Sequence, residues 1–340
     1  MQKKLGFLNF GHFAHDRATG TVDPKAAFDD QLSMTAAAEE EGLDGAWIRV
    51  HHFQWMMSAP FPTLSAMAAQ THSIELGTGV IDLRYENPLY FAEQAATTDL
   101  ISDGRLQLGI SRGSPEAALD GQQQFGYTLE PGQNWTDVAQ ERGQRIRDAI
   151  GGIPVATGDP NSPWSPGGAT QLVTQPQSPD LLNRLWWGSG STSSGITAGE
   201  QGYNLLSSTL LLQDDGRPFH IQQADQIRRY HDAYSASGLA TGGKTTVSRS
   251  MYALRSIQDE RMFGYAGSTR DQAGQLDGSP ARSGPTYVGK VDELAEMLSQ
   301  DQAVADADYV LFANPAQLGA ERNREIFAGW YEVFKLLGWK

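Results

Sequence analysis

The chain has 340 residues, no cysteine and a formal net charge of −14, with hydrophobic residues at 39% and aromatic residues at 9%. That content suffices for a large core, and the missing cysteines remove disulfides, thiolate nucleophiles and Cys-ligated zinc. The acidic balance disfavours nucleic acid and anionic membrane surfaces as partners. An anionic ligand would therefore be held by a local set of donors and not by the global field. No run of about 18 apolar residues occurs, so no spanning helix is expected, and the apolar piece 5–10 is too short for a secretory signal, which points to the cytoplasm.

Strand-like and helix-like runs alternate along the chain. The first strand, Leu5–Phe10, is followed by a helix starting at Asp23-Pro24, where Asp at the N-cap and Pro at N1 form a strong start signal. Gly45–Val50 reads as the second strand, 62–72 as the second helix and Ile74–Ile81 as the third strand. Asn87-Pro88 opens the next helix by the same capping chemistry, and Asp103-Gly104 closes it. Leu106–Ile110 is the fourth strand and Asn134–Ile150 its helix. Residues 151–183, rich in Pro, Gly, Ser and Gln, break the alternation, and a loop of this length is either functional or carries a small hairpin. The pattern resumes with Arg184–Gly188, a helix from about Ser194, Asn204–Ser208, a helix over 219–237 and Thr245–Ala253. A second irregular stretch, 264–287, reads equally as a mobile lid or as a disordered surface insertion. Val291–Leu298 is helical, Tyr309–Phe312 is the eighth strand, and the last helix sets Ile326, Phe327, Trp330, Val333, Phe334 and Leu337 on one apolar face. Eight alternations favour a single-domain (β/α)8 barrel over 1–340, with variable insertions at 151–183 and 264–287, in preference to a doubly wound sheet.

In such a barrel the C-terminal strand ends meet on one rim. They supply Asn9-Phe10, His51-His52, Thr78-Gly79, Ser111-Arg112-Gly113-Ser114-Pro115 and the run Gly188-Ser189-Gly190-Ser191-Thr192-Ser193-Ser194. The last run opens a helix with glycines and hydroxyls, so backbone N–H groups, Ser/Thr donors and the helix dipole can meet on a phosphate, with Arg112 as a bidentate cation. A flexible Gly/Ser turn with N-caps is the plainer alternative. The run is neither a Rossmann nor a Walker loop, and no hydrolase elbow is present. His51 and His52 are candidates for acid–base work, but neighbours on a strand face opposite ways, so at most one reaches the rim. Lacking a carboxylate partner they make a poor metal site. Glu39, Glu40 and Glu41 read as a solvated helix end, and Trp186 and Trp187 as core.

Several blocks in order carry a resemblance: Gly42–Trp47 with His51-His52-Phe53, Ile74–Val80 with Asn87-Pro88, Ala92–Arg105, Leu108–Gly113, then Ser194, Ala198 and Gly202, and Tyr287–Glu293. Together they resemble the bacterial luciferase-like flavin-dependent monooxygenases. The resemblance implies a flavin barrel in which Thr78 and Gly79 lie under the ring and Ser111 beside it, with Arg112, Gly190, Ser191 and Ser194 around the FMN phosphate and His51 as the catalytic residue. Family members often carry Glu before the histidine pair; Val50 stands there in this chain, so a role tied to that carboxylate does not carry over. The resemblance further implies reduced FMN and O2 as co-reactants, a separate flavin reductase, a small organic substrate and a homodimer. F420-dependent hydride transfer and flavin binding without turnover occur on the same scaffold and stay open as alternatives.

Overall fold

The structure is a computed structural model that describes residues 2–15, 19–113, 117–164, 170–239, 243–265, 267–276 and 278–340. Eight strands form its centre: β1 (Lys4–Asn9), β2 (Gly45–Ile48), β3 (Glu75–Thr78), β4 (Leu106–Ser111), β5 (Leu185–Ser189), β6 (Asn204–Ser207), β7 (Thr245–Ala253) and β8 (Tyr309–Ala313). Each pairs in parallel with the next, and β8 returns to β1 through registers such as Lys4 with Tyr309, which closes the barrel. Around it run α1 (Pro24–Glu40), α2 (Pro60–Ala69), α3 (Pro88–Ile101), α4 (Trp135–Ile150), α5 (Thr192–Glu200), α6 (Phe219–Ala236), α7 (Val291–Ser299) and α8 (Gly319–Leu336). No helix among the described residues is long and apolar enough to cross a membrane.

The expected caps form. The Asp23 carboxylate accepts the Ala26 N–H, and the Asn87 side chain accepts from Leu89 and Tyr90. The third strand departs from expectation. It stops at Thr78, the chain bends through Gly79 and Val80, and Ile81–Asp82 pairs separately with Ile110–Ser111. Glu39 is also different from the solvated residue expected. Its carboxylate accepts the N–H groups of His72, Ser73 and Ile74, tying the end of α1 to the start of β3. Those bonds outweigh its partial desolvation and hold its pKa down at about 2. The segment 151–183 carries a short hairpin (Ala156–Thr157 with Gln171–Leu172) and a 3-10 turn, Pro179–Arg184. In 264–287 the hairpin Gln272–Leu276/Ser279–Ser283 takes Leu210–Leu211 as a third antiparallel strand. Arg282 holds this sheet at its base through Asp214, at 2.8 Å.

Strand alternation divides the apolar residues into two populations. Ala46, Ile48, Leu106, Leu108 and Ile110 face outward into the large cluster beneath the helices. The inward positions hold a smaller cluster, Leu8, Trp47, Trp186, Leu206, Tyr309 and Leu311. Trp47 meets Trp186 and Tyr309 edge-on, with ring centroids 5.6 and 5.7 Å apart. Two indoles and a phenol fit inside an eight-stranded barrel only where facing strands have no side chain. A Cβ at Gly77 would lie 2.3 Å from Trp47, and one at Gly45 1.7 Å from the Tyr309 hydroxyl. Below this plug, Trp186 Nε1 donates to Gln107, Gln107 Nε2 to Glu75, and Lys4 Nζ to the same carboxylate.

A deeply buried ion pair fixes the far side. Arg249 of β7 meets Asp301 at 2.7 Å, and Asp301 also accepts the Tyr287 hydroxyl and caps the helix Gln302–Asp306. We predict that Gly77→Ala lowers unfolding free energy by about 1–3 kcal/mol through overpacking against Trp47. Urea denaturation measures it; an unchanged midpoint would contradict the packing described here.

Candidate functional site

A cavity of about 850 Å³ opens at the C-terminal rim, at the upper end of the range usual for small-molecule sites. Its floor is the upper side of the aromatic plug, through Leu8 and Leu206, whereas Trp186 and Tyr309 border a separate space at the opposite end. Seven of the eight sequence candidates line it: His51, Gly79, Ser111, Arg112, Gly190, Ser191 and Ser194. Ser114 and Pro115 lie outside the described residues.

Thr78 does not line it. Its hydroxyl donates to the Gly109 carbonyl at 2.8 Å and accepts the Gly109 N–H at 3.0 Å, which ties β3 to β4. The side chain therefore serves the strand pairing, and Gly79 and Val80 are what β3 offers to the cavity.

On the β4–β5 side the hydroxyl loop is braced. Ser191 caps α5 by accepting the Ser194 N–H and lies 3.1 Å from the Ser193 hydroxyl. Gln213 accepts the Thr192 N–H and donates to its hydroxyl, and Gln226 donates to the Ser191 carbonyl. The Ser194 hydroxyl accepts from the Trp187 indole at 3.3 Å. Arg112 enters from β4 with its guanidinium 3.5 Å from Thr136, in the first turn of α4. A cation, three serine hydroxyls and a helix N-terminus thus border one end of the cavity.

Beside them Asp82 is clamped by Arg84, with Nε bonds of 3.0 Å and a 2.5 Å Nη2 contact. Its carboxylate wraps round Gly113, where φ is +89° and a Cβ would fall 2.0 Å from Asp82 Oδ2. Only glycine satisfies both demands.

The two histidines lie past the end of β2 and diverge there. His51 is buried in the cavity wall and its backbone N–H donates to the Met57 carbonyl at 3.0 Å. His52 turns away and packs on Tyr85 and Phe125. Arg49 and Val50, just before His51, also line the cavity, and the Arg49 guanidinium lies 5.0 Å from the centre of the Phe10 ring. Phe10 in turn stacks on His12, whose pKa is lowered by burial first and then by the charges of Arg49 and His51. No group of three or more His, Asp or Glu that could hold a metal ion occurs among the described residues.

The sequence profile described as luciferase-like monooxygenase matches residues 8–265. The chain belongs to the luciferase-like monooxygenase family. It is 31% identical over 150 residues to the oxygenase component of the flavin-dependent trigonelline monooxygenase of Acinetobacter baylyi, covering 43% of this chain and 38% of that protein. It is 33% identical over 128 residues to the F420-dependent glucose-6-phosphate dehydrogenase of Amycolatopsis mediterranei, covering 36% and 35%. The matched segments thus span well under half the length of either relative. Among solved structures, the FMN complex of the oxygenating constituent of 3,6-diketocamphane monooxygenase from Pseudomonas putida shares the fold, with a TM-score of 0.64 at 16% identity, covering 98% of this chain and 97% of that one. The F420-dependent tetrahydromethanopterin reductase of Methanopyrus kandleri does so at 0.63 and 14%, covering 96% and 98%.

Within the block Ala92–Arg105, one of those that carry the resemblance, two charged side chains serve the scaffold. Asp99 accepts from Arg184, Ser178 and the Leu106 N–H, and Arg105 donates to the carbonyls of Ala68, Thr71 and Ile74 at the end of α2. Sequence reasoning missed Arg49, Asp82 and Thr136, all in the lining. Adjacency to His51 past the end of β2 would have suggested Arg49, and the first turn of α4 would have suggested Thr136.

Glu86 follows the Asp82–Arg84 turn. Burial, reinforced by the Asp82 charge and opposed by Arg142, raises its carboxyl from 4.5 to about 7. A raised carboxyl favours the protonated folded state, so its stability contribution is complete below about pH 4.5 and is lost as pH rises through about 7. We predict that Glu86→Gln abolishes this loss and is the more stable protein at pH 8, by at most ~3 kcal/mol. Parallel thermal melts from pH 5 to 8 test it, and equal slopes for the two proteins would contradict it.

Proposed function

We propose that this protein is a flavin-dependent monooxygenase that oxidises a small organic substrate with O2 and reduced FMN, the flavin being supplied by a separate reductase. It acts in the cytoplasm as a homodimer. The observation that carries this reading is the pairing, in one rim cavity, of a hydroxyl-and-arginine end at β4–β5 with a buried histidine on the β2 side. The named activity of the trigonelline monooxygenase oxygenase component and the FMN in the Pseudomonas putida structure support it.

The donor set suits FMN. Arg112, Ser191, Ser193 and Ser194 would hold the phosphate, and Gly79, with no side chain, leaves room for a flat ring above Leu8 and Leu206. When bound, the flavin supplies activation of O2 for transfer of one oxygen atom to the substrate. The chain's own part is binding, orientation and exclusion of water. Leu8, Leu206, Leu210, Leu212 and Leu276 give the cavity apolar walls, which keep water from a reactive centre. Leu276 comes from the Gln272–Leu276/Ser279–Ser283 hairpin, which serves as the cover over the rim. His51 would hold or deliver a proton at an imidazole nitrogen beside the reacting atoms.

F420-dependent hydride transfer is the second reading, favoured by the F420-dependent relatives that share sequence or fold. We predict that Arg112→Ala weakens FMN binding about tenfold or more, the effect of losing charge-assisted bonds of ~1.5–3 kcal/mol. His51→Ala should keep FMN affinity within about threefold while oxygenation falls by roughly 10²–10⁴. Fluorescence titration and oxygen uptake read both. Unchanged affinity in the first variant removes Arg112 from the phosphate site, and normal oxygenation in the second removes the role of His51.

A further inference from the structure

We infer that Ser248 is a specificity-determining residue that selects an uncharged substrate, one whose apolar body carries a carbonyl or hydroxyl oxygen. The inference rests on the flavin reading: a phosphate at Arg112 and the serine loop leaves the part of the cavity bordered by β6, β7 and the Gln272–Leu276/Ser279–Ser283 hairpin to the substrate.

Placement follows from β7. Within Thr245–Ala253, Val247 and Met251 face outward into the large cluster. Ser248 therefore faces inward, and its register partner on β8 is Leu311, a member of the inner cluster. The strand is held from outside, where Arg249 forms its buried pair with Asp301 and donates to the Ser248 carbonyl at 2.9 Å. Ser248 is only 3% exposed, yet it lines the rim cavity, and its hydroxyl makes no hydrogen bond to any described residue. Thr246, one inward step deeper and in register with Tyr309, differs. Its hydroxyl is also without a partner but is fully enclosed and lies outside the cavity lining. Of the two, only Ser248 can meet a ligand.

The surroundings decide the character of that ligand. The ionisable side chains among the described lining residues are Arg49, His51, Asp82 and Arg112, and all of them belong to the ends of β2, β3 and β4. From β6 round to the hairpin the described lining carries none, and Leu206, Leu210, Leu212 and Leu276 form its walls. A charged group placed there would lose hydration with no opposite charge to replace it. Among the hydroxyls of this part, Ser208 already accepts the Leu210 N–H at 3.3 Å and Thr209 is only half-buried, which leaves Ser248 as the deeply buried donor. A bound substrate displaces water from that hydroxyl. A hydrocarbon then leaves it unpaired, whereas a carbonyl accepts its proton and an alcohol can donate or accept. A site arranged round one hydrogen bond rejects the analogue that lacks it.

Calorimetry on FMN-loaded and flavin-free protein tests this apart from the flavin reading. The probes are acetophenone and 1-tetralone, the alcohols 1-phenylethanol and 1-tetralol, the hydrocarbons ethylbenzene and tetralin, and the ions benzoate and benzylammonium. At least one ketone or alcohol should bind about tenfold or more tightly than its hydrocarbon and than both ions, and the ketone and alcohol arms tell which oxygen is taken. Ser248→Ala should bring that probe and its hydrocarbon to within about threefold of each other while FMN affinity stays unchanged. Ser248→Thr should keep part of the preference, and Thr246→Val all of it. Equal binding of oxygenated probes and hydrocarbons, tighter binding of an ion, or no binding of any ketone or alcohol overturns the inference. So does an undiminished preference in Ser248→Ala, or loss of FMN from that variant. Should wild-type protein fail to bind FMN, the flavin reading fails, and the contrast in flavin-free protein still decides Ser248.

Discussion

The interior of the barrel is governed by one packing constraint, the meeting of Trp47, Trp186 and Tyr309 at its centre. These rings need glycine at 45 and 77, and the backbone at those points is fixed by its pairing with neighbouring strands. Once filled, the centre is solid, and the two cavities lie at its two ends. The upper space is floored by Leu8 and Leu206 and walled by the strand ends. Fold and site are in this way the same problem: the rings that stabilise the barrel also set the depth of the cavity.

Around that floor the chain spends its polar groups in two ways. Some are consumed by the scaffold. Thr78 bridges β3 to β4, Asp99 and Arg184 join α3 to the start of β5, and Arg249 with Asp301 and Tyr287 joins β7 to the Thr286–Gly289 strand and the helix Gln302–Asp306. Others border open space and are only partly engaged, above all Arg112, Ser191 and Ser193. Gln213 and Gln226 hold the serine loop from behind, so its hydroxyls meet a ligand in a fixed arrangement, which lowers the cost of ordering them on binding.

Much of this was legible in the sequence, for identifiable reasons. Barrel topology follows from strand–helix alternation, and Asp23-Pro24 and Asn87-Pro88 mark helix starts by chemistry that acts locally. The rim residues follow because each strand ends on a polar cluster. What sequence could not supply was which polar group each hydroxyl or carboxylate meets across the fold. Thr78 was assigned to the ligand and bonds Gly109; Glu39 was assigned to solvent and binds three backbone N–H groups of the α2–β3 connection. Both partners lie about 30 residues away in sequence. The segment 264–287 was ambiguous because its Gly, Ser and Asp content fits a hairpin as well as a loop, and its register is set by Leu210–Leu211, which is far away in sequence.

The function depends first on whether the rim cavity takes a flavin with its phosphate at Arg112 and the serine loop. The most direct measurement is a fluorescence titration of the purified protein with FMN, riboflavin and F420, in oxidised and reduced forms. Binding of reduced FMN at least tenfold tighter than reduced riboflavin, and tighter than F420, is the predicted result, since the phosphate is then the group being held. FMN and riboflavin binding alike, or F420 binding more tightly than FMN, would contradict it.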